Sequence, residues 1–311
     1  GPRRPGEGVS RVLLPDGGSV PFDRLLGEEA EEILGPAHVA RFGKAPGFLT
    51  KLLDSAIRLP VQAHPDRAAA KRLFGSEYGK TEAWIVIGGR KIDGEEPYLL
   101  MGFNESFDYE VFRREALAGV MERTVGMMHR CPVVPGEVYL ITGGLPHAIG
   151  SGVFVQEIME PTDYVVQPEL HCGGTRLDER ARWGGLDPEK ALGVFHCEAL
   201  PEAELLRRVR RTPVVLSESS GTVLRQLLDR GETGFFGSLE LRLDGSWTRP
   251  EELGCFMAGT VLGGTAVVAA GRERLALAPG QTFALAASAR PVFEGKAEIL
   301  FALPPALHLR E

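Results

Sequence analysis

Turn-forming residues are so dense in this chain that long helices have little room. It holds 39 Gly and 22 Pro, about a fifth of all residues, and such punctuation favours short strands joined by turns. The runs between the turns fit that reading. Ala83-Trp84-Ile85-Val86-Ile87 precedes Gly88-Gly89, and Glu137-Val138-Tyr139-Leu140-Ile141 precedes Gly143-Gly144. Tyr98–Phe103 and the stretch 153–158 are of the same kind. From about residue 213 to 309 the chain is almost purely strand and turn.

Helical patterns interrupt the strands at three places. Residues 67–74 are Ala-rich, and 107–128 set Phe112, Ala116, Val120 and Val125 near helical spacing. Residues 187–195 open with Asp-Pro-Glu, a capping residue followed by Pro at the first helical position. The polar stretch 198–211 ends in Arg207-Arg208-Val209-Arg210-Arg211 and reads as a connector, its basic cluster as a solvated helix face rather than an anion site. A weak internal repeat relates Pro135-Gly136-Glu137-Val138-Tyr139-Leu140-Ile141 to Pro279-Gly280-Gln281-Thr282-Phe283-Ala284-Leu285. Two similar halves follow, and the expected fold is mainly β: two jelly-roll barrels with a few inserted and connecting helices. In that register His147 corresponds to Pro291, so only the first half offers a ligand there.

At 311 residues the chain suits two domains. Hydrophobic residues make 43% and charged residues 25%, which excludes disorder as its main state. No run approaches the ~20 apolar residues of a membrane span. Residues 1–6 lack the apolar stretch of a signal peptide, and Gly1 in place of Met suggests a truncated or tagged end. A net charge of −7 argues against a nucleic-acid partner. Cys131, Cys172, Cys197 and Cys255 form no C-x-x-C pair, which points to the cytoplasm and to small buried groups rather than nucleophiles.

Three segments collect coordinating side chains. In Leu59-Pro60-Val61-Gln62-Ala63-His64-Pro65-Asp66, Gln62 and His64 are two apart and share one face of a strand. Gly79-Lys80-Thr81-Glu82-Ala83-Trp84 does the same with Lys80 and Glu82, a substrate-binding ammonium beside a cation-binding carboxylate. In Gly143-Gly144-Leu145-Pro146-His147 the glycines permit close backbone approach before a histidine, and Glu157 lies ten residues on. Two histidines, a carboxylate and an amide oxygen suit a divalent transition metal, whose residual charge suits Lewis-acid chemistry. Singly, His64 and His147 read as loop residues and Glu82 as a solvated strand residue; the set in strand contexts is what points to a metal. His38, His129, His171, His196 and His308 sit in no comparable arrangement and read as surface or packing residues.

Together these segments resemble the type I mannose-6-phosphate isomerases, zinc-dependent members of the cupin superfamily. The resemblance rests on residues 59–66 (LPVQAHPD), 79–84 (GKTEAW) and 135–163 (PGEVYLITGGLPHAIGSGVFVQEIMEPTD), and extends over roughly 48–198. It implies that Gln62, His64, Glu82 and His147 bind one Zn2+ per chain, that Lys80 is the active-site lysine and that Glu157 is an active-site glutamate. It implies a catalytic cupin domain over 1–198, a connector over 199–212 and a second, metal-free cupin-like barrel over 213–311. The reaction implied is interconversion of mannose 6-phosphate and fructose 6-phosphate through an enediol, in a cytoplasmic monomer or homodimer. Gln167 stands where the family has an arginine implicated in catalysis, Pro60 where many members have serine, and Thr142 where proline is usual. The family's N-terminal aromatic strand segment is absent. The lost arginine leaves a second reading, a metal-bound homologue with weakened turnover that binds sugar phosphates, or an isomerase for another sugar. An iron oxygenase is a third, opposed by the amide ligand and the GKTE segment.

Overall fold

The computed structural model describes residues 9–14 and 17–307; His308 and residues 1–6 lie outside the described residues. The chain divides into two compact units, one of residues 49–212 and one that joins 1–48 to 213–311.

The first elements belong to the second of these units. β1 (Arg11–Leu13) and β2 (Ser19–Pro21) form an antiparallel pair. α1 (Phe22–Leu34) follows and buries Leu26, Ala30 and Leu34, spaced four apart on one face. α2 (Pro36–Phe42) starts on proline, whose missing N–H costs nothing at a helix start.

The unit of residues 49–212 is built mainly from strands. In chain order it holds β3 (Leu49–Asp54), α3 (Arg67–Phe74), β4 (Glu82–Gly89), β5 (Tyr98–Phe103), α4 (Tyr109–Ala118), α5 (Glu122–Gly126) and β6 (Met128–Pro132). β7 (Val138–Ile141), β8 (His147–Ile149), β9 (Val153–Met159), β10 (His171–Cys172) and β11 (Thr175–Arg176) come next. α6 (Pro188–Leu192), α7 (Glu202–Val209) and β12 (Arg210–Arg211) complete it. A five-stranded antiparallel sheet runs β12-β7-β4-β9-β3, and a three-stranded one runs β6-β5-β8. One apolar cluster gathers Phe103, Phe112, Trp183 and Phe195, and another Trp84, Leu99, Tyr139, Ile141 and Val155.

The expected helices form, with one difference. Asp66 caps α3, its Oδ1 accepting the Ala69 N–H at 2.7 Å, and Asp187 caps α6 in the same way. The stretch 107–128 is not one helix: Gly119, at φ 77°, ends α4, and α5 begins anew. Val120, expected on the apolar face, is therefore exposed in the break, while Phe112 and Ala116 are buried. The stretch 198–211 carries α7 and then β12, which pairs with β7 at the sheet edge. Its arginines pair with carboxylates, Arg208 with Glu198 and Glu204, and Arg210 with Glu137 at 2.5 Å.

In the other unit, β13 (Val214–Ser219), β14 (Thr222–Leu228), the short α8 (Arg230–Thr233) and β15 (Gly237–Thr248) lead into β16 (Met257–Ala270), β17 (Glu273–Leu277), β18 (Thr282–Leu285) and β19 (Val292–Leu303). They make one sheet ordered β13-β14-β15-β19-β16-β17, with β18 also on β16. Leu239, Leu241, Val261, Phe293 and Phe301 form its core. Both members of the repeat follow a Pro-Gly turn into a short strand, β7 and β18. The fold is thus mainly β, and the described strands form open sheets, none closing on itself. Among the described residues no helix is long and apolar enough to cross a membrane.

The helix break yields a stability contrast. Phe112→Ala removes a side chain with no exposed surface and is expected to cost about 3–5 kcal/mol, whereas Val120→Ser is expected to stay within about 0.5 kcal/mol. Urea unfolding of both variants checks this; equal losses would mean that residue 120 is packed.

Candidate metal centre

Every candidate site residue lies in the unit of residues 49–212. Glu82 opens β4, the central strand of the five-stranded sheet, flanked there by Ile141 of β7 and Met159 of β9. Lys80 precedes it by two. Glu157 of β9 stands directly across from Trp84 on one side and Lys51 of β3 on the other. His147 begins β8 of the three-stranded sheet and exchanges both main-chain hydrogen bonds with Gln62, each 2.9 Å. The glycines before it are needed for close passage. A Cβ on Gly143 would lie 2.5 Å from the Asp66 backbone, and one on Gly144, at φ 89°, 2.3 Å from the His196 ring.

His64, Glu82 and His147 come together, their potential ligand atoms all within 4.8 Å of one another. His64 Nε2 is 3.2 Å and His147 Nε2 3.3 Å from Glu82 Oε1. All three side chains are buried, Glu82 and His147 with no exposed surface at all. The other ring nitrogens are committed. Nδ1 of His64 lies 2.9 Å from the Tyr164 carbonyl, and Nδ1 of His147 lies 2.9 Å from the Leu145 carbonyl. A carbonyl only accepts, so each Nδ1 carries the proton and each Nε2 presents a lone pair. Lone pairs and a carboxylate that converge in a dry site repel unless a cation lies among them. His147 Nε2 and Glu82 Oε2 have no aligned hydrogen-bond partner. A pinned Nδ1–H behind a free Nε2 is the arrangement of metal-ligating histidines, so the donor set fits a divalent metal.

Lys80 supplies the positive charge of this structure. Its Nζ lies 3.1 Å from His64 Nε2 and 3.2 Å from Glu82 Oε2. Burial, and next the Lys80 charge, push the His64 pKa down to about 4, so the ring stays neutral. Burial alone would raise the Glu82 carboxyl, but the neighbouring positive charge, that of Lys80 first, outweighs it and holds the carboxyl well below the usual carboxylate range. Glu157 behaves oppositely. Burial, followed by the Glu82 carboxylate, pushes it up to about 7, against the pull of Lys80 and Lys51.

Gln62 and Gln167, both half-buried, meet each other: Gln167 Nε2 donates to Gln62 Oε1 at 2.8 Å. Gln167 therefore contacts a candidate ligand without carrying a charge. Lys51, beside Glu157, escaped the sequence reading. Lys51 Nζ is 3.3 Å from Glu157 Oε2 and 3.7 Å from Asp163 Oδ1. No local pattern marks Lys51, because its partner strand lies more than a hundred residues away. The remaining described histidines stand apart from the cluster. His38 and His129 are buried against the carbonyls of Ala45 and Leu200, His171 is exposed, and His196 lies 3.5 Å from Asp66. Burial pushes the thiols up, Cys131 to about 12 and Cys197 to about 11, which leaves them unreactive.

No family model matches the chain. Mannose-6-phosphate isomerase of Streptococcus mutans is 28% identical to it over 298 residues, which span 94% of this chain and 84% of that protein. Mannose-6-phosphate isomerase of Bacillus subtilis is 29% identical over 171 residues, covering 53% of this chain and 50% of that protein. Among solved structures, the Bacillus subtilis mannose 6-phosphate isomerase superposes with a TM-score of 0.74 at 20% identity, covering 96% of this chain and 86% of the other. A mutant of phosphomannose isomerase from Salmonella typhimurium gives 0.72 at 17% identity, covering 96% and 88%. Along nearly its whole length in sequence, and in fold, the chain is similar to mannose-6-phosphate isomerases.

Proposed function

We propose that this protein is a zinc-dependent aldose–ketose isomerase that interconverts mannose 6-phosphate and fructose 6-phosphate through an enediol. The observation that carries the reading is the convergence of two imidazole lone pairs on the buried Glu82 carboxylate. Beside that cluster lies a second buried carboxylate suited to proton transfer, Glu157. The isomerase names of the homologues supply the substrate. The same reading takes each unit as a cupin-type jelly roll, the metal-bearing one holding the site and the other none. Four free cysteines accord with a reducing, cytoplasmic setting, and the reading takes the protein there as a monomer or homodimer.

One zinc per chain, held by His64, Glu82, His147 and the Gln62 amide oxygen, would supply the Lewis acidity that stabilises oxyanion character on O1 or O2 of the sugar. The remaining work belongs to the chain. Glu157 moves the proton between C1 and C2, a task for a base whose pKa lies near the working pH. Lys51, 3.3 Å from Glu157, holds that carboxylate in place. Lys80 orients a sugar hydroxyl and adds positive charge beside Glu82. Gln167 offers a neutral donor where a fixed charge would otherwise assist.

Protein carrying one zinc per chain is expected to form fructose 6-phosphate from mannose 6-phosphate and to lose that turnover on chelation, regaining it with added zinc. A coupled assay on protein of verified metal content checks this. Background turnover from fully metallated protein would overturn the isomerase and leave a sugar-phosphate-binding protein.

Glu157 predicts a pH dependence. The base acts deprotonated, so the rate rises as pH climbs through its pKa. A neighbouring bound cation favours the carboxylate, so the midpoint is expected at or below the value of about 7. Glu157→Gln is expected to lower kcat by about 10²–10⁴ and to abolish that acid limb. A variant that keeps the limb would remove Glu157 from the proton transfer.

A further inference from the structure

The segments that carry the ligands are poorly held by regular sheet. Residues 59–66 make only isolated bridges, and Lys80 and Thr81 precede the first residue of β4. Their main chain is held instead by two buried carboxylates on the single return segment that follows β9. Glu169 Oε2 accepts the Val61 N–H at 2.7 Å, and Glu160 Oε1 accepts the Thr81 N–H at 3.0 Å. Val61 immediately precedes Gln62, and Thr81 immediately precedes Glu82. Among the described residues neither N–H has a main-chain acceptor.

Each carboxylate is braced from behind by one arginine. Arg58 grips Glu169 with both terminal nitrogens, at 2.8 and 2.7 Å, and Arg67 Nε donates to Glu160 Oε2 at 3.0 Å. Glu160 adds its own N–H to the Thr81 carbonyl at 3.0 Å, closing a two-point lock around the residue between Lys80 and Glu82. Glu160 and Glu169 are 1% and 4% exposed, so their bonds are shielded from competing water. Between them, Ala63 and Val166 exchange main-chain bonds of 3.0 Å, and Gln167 reaches Gln62. The return segment thus stands in for a missing neighbouring strand beside both ligand segments. A carboxylate takes the place of a main-chain carbonyl at the residue before a ligand.

We propose that Glu160 and Glu169 are paired positioning residues, each clamping the main-chain N–H that precedes a metal ligand and so holding Gln62 and Glu82 in binding geometry. This rests on the metal-centre reading above. Neither residue is among those proposed to hold the metal or the sugar. Their effect runs through the backbone, with Arg58 and Arg67 fixing the carboxylates in turn. Partners placed behind metal ligands commonly contribute 10–100-fold to affinity.

The test uses Co2+ as the probe, read by its visible absorption and by competition with a chelator, on the full chain. Glu160→Gln and Glu169→Gln each keep one acceptor but lose the charge that holds the arginine. Each is expected to remain folded by circular dichroism, to bind Co2+ about 10–100-fold more weakly and to show an altered absorption band. Leu241→Ala, which removes a side chain with no exposed surface from the core of the other unit, serves as the control: destabilised, with Co2+ affinity and band unchanged. Folded carboxylate variants whose affinity and band match the wild type would overturn the proposal and leave the two residues as stability braces alone. A wild-type chain that binds no Co2+ would overturn the metal reading and this inference with it. Should Glu169→Gln fail to fold, Arg58→Lys, which leaves the Val61 bond and loosens the fork, joins Glu160→Gln in deciding between the same outcomes.

Discussion

A carboxylate with no exposed surface, Glu82, sits at the start of the central strand of a sheet. A buried charge is tolerable only where other groups answer it. Here the answer comes from Lys80, two residues back, whose Nζ lies 3.2 Å from Glu82 Oε2; the two imidazoles, delivered by different segments, bring lone pairs to the same point and call for a further cation. Much of the unit's local architecture can be read as the means of bringing those groups together. The Gly143-Gly144 turn lets the chain pass over Asp66 and His196 so that His147 reaches the carboxylate. The bridge between Gln62 and His147 ties the third segment to the same point. The Tyr164 and Leu145 carbonyls then decide which imidazole nitrogen faces it.

The two carboxylates of the site differ because their surroundings do. Glu82 and Glu157 are both buried, and burial raises the pKa of each. Glu82 has the Lys80 ammonium close by and stays ionised. Glu157 faces the Glu82 charge and has a partly exposed lysine as its own partner, so its proton is held to about neutrality. Unequal environments that drive two acids apart are a familiar basis for separate roles, one as ligand and one as proton carrier.

The mainly β character was legible because turn residues are a local signal. Asp187 and the Pro-Gly turns were legible for the same reason, since caps and turns act over three or four residues. Three of the candidate ligands, His64, Glu82 and His147, were named from segments marked by paired spacing or by glycines, and the structure brings their ligand atoms within 4.8 Å of one another. The single helix expected over 107–128 was not formed, because apolar spacing registers Phe112 and Ala116 but is blind to a glycine that takes φ 77° at position 119. Lys51, Glu160 and Glu169 were missed for a different reason. Each acts across a pairing with a segment roughly 80 to 110 residues distant, and nothing in the local sequence announces such a partner. Long-range register decides these contacts, and periodicity within a strand does not encode register between strands.

Gln167 brings a neutral side chain to the edge of the site. The position keeps a donor, and that donor is placed on Gln62, a candidate ligand. What it lacks is a fixed positive charge. The ammonium groups at the centre are then Lys80, nearly buried and shared between His64 and Glu82, and Lys51, partly exposed and shared between Glu157 and Asp163. Both are committed to carboxylates. An anionic group arriving at this centre therefore meets cations already largely neutralised, and a bound divalent metal becomes the main source of uncompensated positive charge. If the centre holds a divalent metal as proposed, that ion would carry most of the electrostatic work, and its removal would weaken the hold on an anionic ligand as well as any chemistry there.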